Sequence, residues 1–429
     1  MKTLITLFSP SRPLAFAVLA ALGLGACSQS EEAPGPPHAE RPAYTVSFDP
    51  ARPQDARVEL RLPASDRPLR LFSRAPDMQL EPQVEDVRCD GTLIERAEAE
   101  WTLPPGCETA SWRVAFEAAE RGAVRPSRQR SVSVGNAWAV LSGPTSLLRV
   151  SGFENETLPV ALDGVARPDT LPPLNAAPGF FVLGDPPSIE YGDRSPHLTY
   201  IADDLQAVEA LADPALHYQA IDYLRDAIGP AQISDVEDLT VVWFGAEREH
   251  AEMSGAAGFD TLIANYILAG DSPTPFEAAA PFILVLHEQF HQLAVGATPH
   301  WVSESLANYY ALKAAGRILP GDEGVLAARA MFINPEAPVE TGLLEIQRRI
   351  NEDGDYSGYM QFYSTGAAFW ASLDEALADA TDGAQTLDDI LPVILASDYS
   401  GGAGLPDAVM DALSAIPPEP RAAIFDRYL

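Results

Sequence analysis

Apolar positions recur with two different periods along this 429-residue chain, and the change of period divides it. Between residues 44 and 150 they alternate or form short β-branched runs: TVSF, RVELRL, LRLF, EWTL, SWRVAF and AWAVL, separated by Pro, Gly and Asp. A period of two puts every second side chain on one face of a strand, so this stretch is expected to be strand-built. No chemistry-bearing residue types cluster there, and a β-sandwich-like accessory domain over 44–150 is the expectation. From residue 155 onward, strand-like FFVLG and DLTVVWFG are mixed with a helical stretch, Leu205–Ile228, and an Ala-rich helical half begins near Thr274. Thr274-Pro275-Phe276-Glu277 has the layout of a capping box with Pro at the first helical position. Pro281 predicts a break and a second helix start. Further helices are predicted over 301–316, 323–333, 339–350, 357–379, 386–396 and 405–415. The expected fold class is α+β multidomain, with a mostly helical second domain over 155–429.

The first residues read differently. Lys2 and Arg12 are the only charges before Cys27, Pro13 to Leu24 is largely apolar, and the run ends Leu24-Gly25-Ala26-Cys27. Charged, then apolar, then small is the layout of a signal peptide. The last four residues resemble the bacterial lipobox, which implies removal of residues 1–26 and lipidation of Cys27 as a membrane anchor. Ser28 after that cysteine resembles lipoproteins sorted to the outer membrane, which implies a chain facing the periplasm. Residues 27–43 are polar and Pro-rich, as a flexible tether is. Export bears on the two remaining cysteines, Cys89 and Cys107, because an oxidising compartment favours a disulfide between an even pair.

Composition narrows the function. Lys+Arg 28 against Asp+Glu 61 gives a formal net charge of −33, which disfavours nucleic-acid partners because phosphate binding needs clustered cations. After residue 30 no stretch approaches the roughly 20 apolar residues of a membrane span. Hydrophobic residues at 47% and charged residues at 21% suit a chain with a buried core.

His287-Glu288-Gln289-Phe290-His291 is H-E-x-x-H, preceded by the apolar run Phe282-Ile283-Leu284-Val285-Leu286. Positions i and i+4 of a helix share a face, so both imidazoles reach one metal ion, and zinc is the usual occupant. Glu288 lies beside that face, where it can take a proton from the attacking water. Three of the chain's seven His fall between 287 and 300, so surface histidines on an amphipathic helix are a poor alternative. Catalytic zinc takes three protein ligands, and Glu304 supplies the third if Trp301-Val302-Ser303-Glu304 opens an antiparallel return helix after Gly296 and Pro299. His300 is expected beside the site, as a contact to a ligand or as a bystander.

These residues resemble the gluzincin zinc metallopeptidases, the clan of aminopeptidase N and the glycyl aminopeptidases, whose second-helix signature is W-x-x-E-G-[FL]-A-x-Y. Trp301, Glu304, Leu306, Ala307 and Tyr309 stand in register with it, and Ser305 replaces its Gly. Tyr363-Ser364-Thr365-Gly366-Ala367 resembles the clan's Y-x-K-G-A, which implies that Tyr363 stabilises the oxyanion of the tetrahedral intermediate. The resemblance covers residues 281–391 and implies a thermolysin-like catalytic domain that binds zinc and hydrolyses peptide bonds. There are departures. The clan's aminopeptidases carry G-x-M-E-N upstream, whose Glu grips a free α-amine, whereas this chain reads Ser254-Gly255-Ala256-Ala257-Gly258. An enzyme that is not a typical aminopeptidase follows, with endopeptidase activity open. The competing readings are a catalytically inactive lipoprotein that binds peptides or envelope proteins, and the same metal chemistry on a non-peptide amide or an epoxide.

Overall fold

Alternation in the N-terminal half becomes alternate burial. In the strand Asp55–Arg61, Ala56, Val58 and Leu60 are buried while Arg57, Glu59 and Arg61 face solvent. The computed structural model describes residues 41–429, apart from 76–79, 120–123, 136, 164–168, 193, 235, 248–252, 269–272 and 401–403. The expected signal peptide and Cys27 therefore lie outside the described residues, and described strand begins at Ala43. Ala43–Phe48, Asp55–Arg61 and Thr109–Ala115 are neighbours in a seven-stranded sheet. Two four-stranded sheets accompany it, and Cys89 is joined to Cys107 by a disulfide.

The strand-built part runs further than the pattern indicated. Leu158–Leu162 pairs in parallel with Ala43–Phe48, and Phe180–Gly184 pairs with Trp138–Ser142. These strands complete the first half's sheets, so the change of texture at 155 is not a change of sheet. The Pro-rich linkers between them carry no periodicity that would show where the next strand docks.

A five-stranded sheet follows, in the spatial order Ser188–Tyr191, His197–Ala202, Asp238–Glu247, Thr261–Leu268 and Gly255–Ala257. The three inner strands are parallel, and Gly255–Ala257 is an antiparallel edge. Val241 and Trp243 face the helical core, while Val242 and Phe244 face the strand-built half. Burial on both sides explains why DLTVVWFG reads as a continuous apolar run. Trp138 stacks on Phe244 at 6.1 Å between centroids, tying the two halves together.

The helical half departs from expectation at two prolines. The stretch 205–228 is two helices, Leu205–Leu211 and Pro214–Ile228, because Asp213 caps the second and Pro214 occupies its first position. Pro281 does the opposite: the helix Pro275–Leu293 runs through it unbroken. Proline costs this helix one hydrogen bond. That cost is offset by burial along its length, from Ala279 to Leu293, between the edge of the sheet and neighbouring helices. The capping box at Thr274 and Glu277 is formed. The C-terminal helix Pro418–Tyr428 was not anticipated.

His217, isolated in the sequence, is fully buried on the helix Pro214–Ile228, with Nδ1 2.9 Å from the Tyr200 hydroxyl. Burial depresses its pKa from 6.5 to about 4, although Gln289 of the H-E-x-x-H segment pulls the other way. A depressed folded-state pKa contributes stability that is present above pH 6.5 and lost as pH falls through about 4. The contribution is on the order of 3 kcal/mol. Urea unfolding of wild type and His217→Phe at pH 7, 5.5 and 4 should show wild type losing stability faster toward acid. Parallel pH profiles would contradict this assignment.

Candidate metal centre

The helix Pro275–Leu293 (the motif helix) carries His287 and His291 one turn apart. The helix His300–Ile318 (the return helix) packs back against it after the loop through Gly296 and Pro299. Pro299 offers no side-chain cap, and the N–H of Trp301, in the first turn of the return helix, donates instead to Gln347 Oε1 at 3.0 Å. Phe290 stacks on Tyr310 at 5.4 Å, and Trp301 stacks on Trp370 at 5.9 Å. These contacts fix the rotation of the return helix and with it the direction of Glu304.

Three donor atoms converge. His287 Nε2 and His291 Nε2 are 3.2 Å apart, and Glu304 Oε2 is 3.3 Å from the first and 3.4 Å from the second. Tetrahedral ligands at zinc's ~2.0–2.1 Å stand about 3.3 Å from one another, so the three edges match those of a single zinc-sized site. The donor types, two imidazoles and a carboxylate, suit the same ion. Among the described residues the only other candidate donor group is Cys89, Asp90 and Cys107, whose cysteines form the disulfide.

Electrostatics follow from burial. Desolvation alone would raise Glu304, but the two imidazoles, by charge and hydrogen bond, hold its carboxyl well below the usual range. Burial pulls His291 down, and the charge and hydrogen bond of Glu304 outweigh it, so the net shift is upward. The carboxylate is thus held as an anion facing the two rings. His291 is oriented from behind by Ser303 Oγ, 3.3 Å from its Nδ1, which leaves Nε2 for the metal.

Glu288 is buried to 7% exposure, and desolvation raises its pKa, with Glu304 adding to the rise and the imidazoles and the Ala257 backbone opposing it. It packs against the edge strand so closely that a Cβ on Gly255 would lie 2.6 Å from Glu288 Oε1. Glycine is required there by the Glu288 side chain.

Tyr363 sits in the π-helical turn Phe362–Gly366, and its ring lies over His287 at 5.4 Å between centroids. Burial first, then the Glu304 carboxylate, push its phenol far above the usual pKa, so it stays a proton donor. The turn approaches the return helix so closely that a Cβ on Gly366 would lie 2.4 Å from Ser305 Cβ. Ser305, the departure from the clan signature, uses its hydroxyl within the fold, donating to the Trp301 carbonyl and accepting from Trp370 Nε1. His300 is exposed, with its ring 6.1 Å from that of Tyr359, and so stands one residue removed from the three donors.

Sequence reasoning missed Tyr359. Its hydroxyl donates to Glu304 Oε1 at 2.9 Å, while Oε2 of the same carboxylate faces the imidazoles. A carboxylate bonded through one oxygen presents the other in a fixed direction, and loss of such a partner typically weakens metal affinity about 10–100-fold. Tyr359→Phe should raise the zinc dissociation constant by about tenfold or more, measured by chelator competition, with an unchanged circular dichroism spectrum. Unchanged affinity would remove Tyr359 from the metal site. Only its four-residue spacing from Tyr363 hinted at this role.

Two cavities flank the centre. One of about 230 Å³ is lined by His287, Glu288 and Tyr363. The other, of about 840 Å³, reaches His291 and is lined by Asp169, Glu237, Asp238 and Asp260. Burial, then the neighbouring Asp169, raises the pKa of Asp260 to about 6.

No protein-family model matches this chain, and no curated protein does. Solved structures do. The chain is similar to an aminopeptidase N family protein from Idiomarina loihiensis over 90% of its own length and 75% of that chain, with a TM-score of 0.63 and 12% identity. It is similar to a variant M1 zinc metallopeptidase from Deinococcus radiodurans bound to a Tyr-Ser-Ala substrate, over 91% of its length and 94% of that chain, with a TM-score of 0.51 and 15% identity. Legionella pneumophila aminopeptidase A, in complex with aspartic acid, is similar over 91% of this chain and 49% of its own, with a TM-score of 0.50 and 11% identity. At these identities the likeness is one of fold: the chain has an α+β architecture like that of the M1 zinc metallopeptidases.

Proposed function

We infer that this chain is a zinc-dependent metallopeptidase that hydrolyses peptide bonds, with His287, His291 and Glu304 as ligands, Glu288 as general base and Tyr363 as oxyanion donor. The observation that carries the reading is the triangle of donor atoms with 3.2, 3.3 and 3.4 Å edges, closed by residues from two helices. Zinc, when bound, supplies Lewis acidity that polarises a carbonyl and acidifies water. The chain's own groups do the rest. Glu288, buried and with a raised pKa, accepts the proton of the attacking water and delivers it to the leaving amine. Tyr363 stays protonated and donates to the carbonyl oxygen as negative charge develops there. The edge strand Gly255–Ala257 offers backbone groups for pairing with an extended peptide.

The fold neighbours support a peptide as substrate, since one of them was solved with a tripeptide substrate. The segment Ser254–Gly258 carries no carboxylate to grip a free α-amine, so the reading places no requirement for a free N-terminus and the enzyme is not a typical aminopeptidase. Ser305 gives the inactive reading little support, because its hydroxyl is spent within the helices and leaves Glu304 in place. Location remains as the sequence implies: a lipid on Cys27 holds the chain at the outer membrane, facing the periplasm. No helix among the described residues is long and apolar enough to cross a membrane.

The test is cleavage of N-terminally blocked peptides by the zinc-loaded protein, before and after chelation. Chelation should abolish cleavage and added zinc should restore it, whereas chelator-resistant cleavage would defeat the reading. For the anchor, Cys27→Ser should move the chain from the membrane to the soluble fraction, and an unchanged distribution would refute it.

A further inference from the structure

Asn308 falls at a position that the clan signature leaves open, so the resemblance assigns it no role. Asparagine suits the interior of a helix poorly, because its amide competes for nearby backbone groups. Asn308 nevertheless sits in the middle of the return helix, 6% exposed, with Leu306, Ala307, Tyr309 and Tyr310 buried around it. It stands one turn after Glu304, so the two side chains leave the helix on the same face. Its amide reaches out of that helix: Nδ2 donates to the backbone carbonyl of Tyr363, 55 residues away. A carbonyl only accepts, so this contact also fixes which end of the amide faces it. The carbonyl belongs to the π-helical turn Phe362–Gly366, and single turns of this kind are rare and concentrate at functional sites. The return helix meets the turn at two points: Gly366 lies against Ser305, and Asn308 holds the Tyr363 carbonyl. The Tyr363 N–H donates to the Met360 carbonyl at 3.3 Å, so both backbone groups of that residue are tied. Asn308 also lines the cavity that Tyr363 shares with His287 and Glu288.

We propose that Asn308 is a positioning residue for Tyr363, holding the turn so that the phenol stays over His287 and meets the oxyanion of a bound substrate. The proposal rests on the peptidase reading and adds to it the residue that sets the oxyanion donor in place. Glu304 and Asn308 stand on one helix, so a single rigid element fixes both the third metal donor and the backbone of Tyr363. The distance between metal and phenol is then set across one contact, not through the chain that joins them. Without the Asn308 amide the turn keeps its Gly366 contact but loses the hold on Tyr363 itself. A shift of about 1 Å in a catalytic group can cost on the order of 10²-fold in rate, so the contact bears directly on turnover. Substrate affinity in the ground state depends on it little, because the phenol's hydrogen bond strengthens only as charge develops.

The experiment is a double-mutant cycle on the zinc-loaded chain with N-terminally blocked peptides. Asn308→Leu removes the donor and keeps the bulk, and Asn308→Ala removes it without adding volume, so one stands in where the other does not fold. Each should lower kcat by on the order of 10²-fold and leave KM and zinc content close to wild type. Tyr363→Phe has already lost the phenol, so adding Asn308→Leu or Asn308→Ala to it should cost no more than a few-fold further. Binding gives a second readout. A peptide phosphonate, whose tetrahedral oxygens stand where the oxyanion would, should bind the Asn308 variants more weakly by about the factor lost in kcat. Unchanged kcat overturns the proposal, as does phosphonate affinity equal to that of wild type. A loss that is equally large in the Tyr363→Phe background overturns it too, and all three leave the peptidase reading standing. Wild type that neither cleaves the peptides nor binds the phosphonate overturns the peptidase reading itself, and this proposal with it.

Discussion

Glu288→Gln is expected to lower peptide hydrolysis by about 10²–10⁴-fold while zinc content and unfolding behaviour stay close to wild type. The amide has the carboxylate's shape, so the tight approach of Gly255 to this side chain is preserved. What disappears is basicity. An amide oxygen cannot take the proton of the attacking water, and an amide nitrogen cannot return one to the leaving amine at neutral pH. Glu288 does not belong to the donor triangle, so the metal should remain. The loss should appear in kcat more than in KM, because proton transfer occurs only on the way to the transition state. Cleavage within a few-fold of wild type would assign the base elsewhere.

Glu304→Ala acts on the metal itself. It removes one of three ligands and the only charge among them, so zinc affinity should fall by more than the roughly 10–100-fold typical of losing an outer partner. The two imidazoles remain one turn apart on a rigid, buried helix, yet two neutral donors leave the ion's charge uncompensated. Tyr359 loses its acceptor at the same time. Chelator competition and zinc analysis should show a variant that is folded and essentially zinc-free at micromolar metal. One tightly held zinc per variant chain would show that Glu304 is not a ligand.

Much of this site could be read from the chain because its chemistry depends on spacing. Four residues on one helix place two imidazoles on one face, and the register of Trp301 and Tyr309 fixes Glu304 on the next. What the sequence hid is long-range. Tyr359 reaches Glu304 from an irregular segment 55 residues away, with no periodicity to announce it. The strands Leu158–Leu162 and Phe180–Gly184 belong to the first half through pairings far away in the chain. Pro281 misled because local propensity was outweighed by burial on every side of its helix. The cavity beside Glu288 and Tyr363 is lined by segments from Met253 to Tyr363 and by Ser127, and no window of sequence contains it.

Zinc-edge anomalous diffraction from crystals of the zinc-loaded chain lacking residues 1–40 would speak most directly to the metal assignment. One peak should lie within about 2.0–2.2 Å of His287 Nε2, His291 Nε2 and Glu304 Oε2. A fully zinc-loaded crystal with no peak inside that triangle, or with its zinc at another site, would contradict the assignment and the peptidase chemistry derived from it.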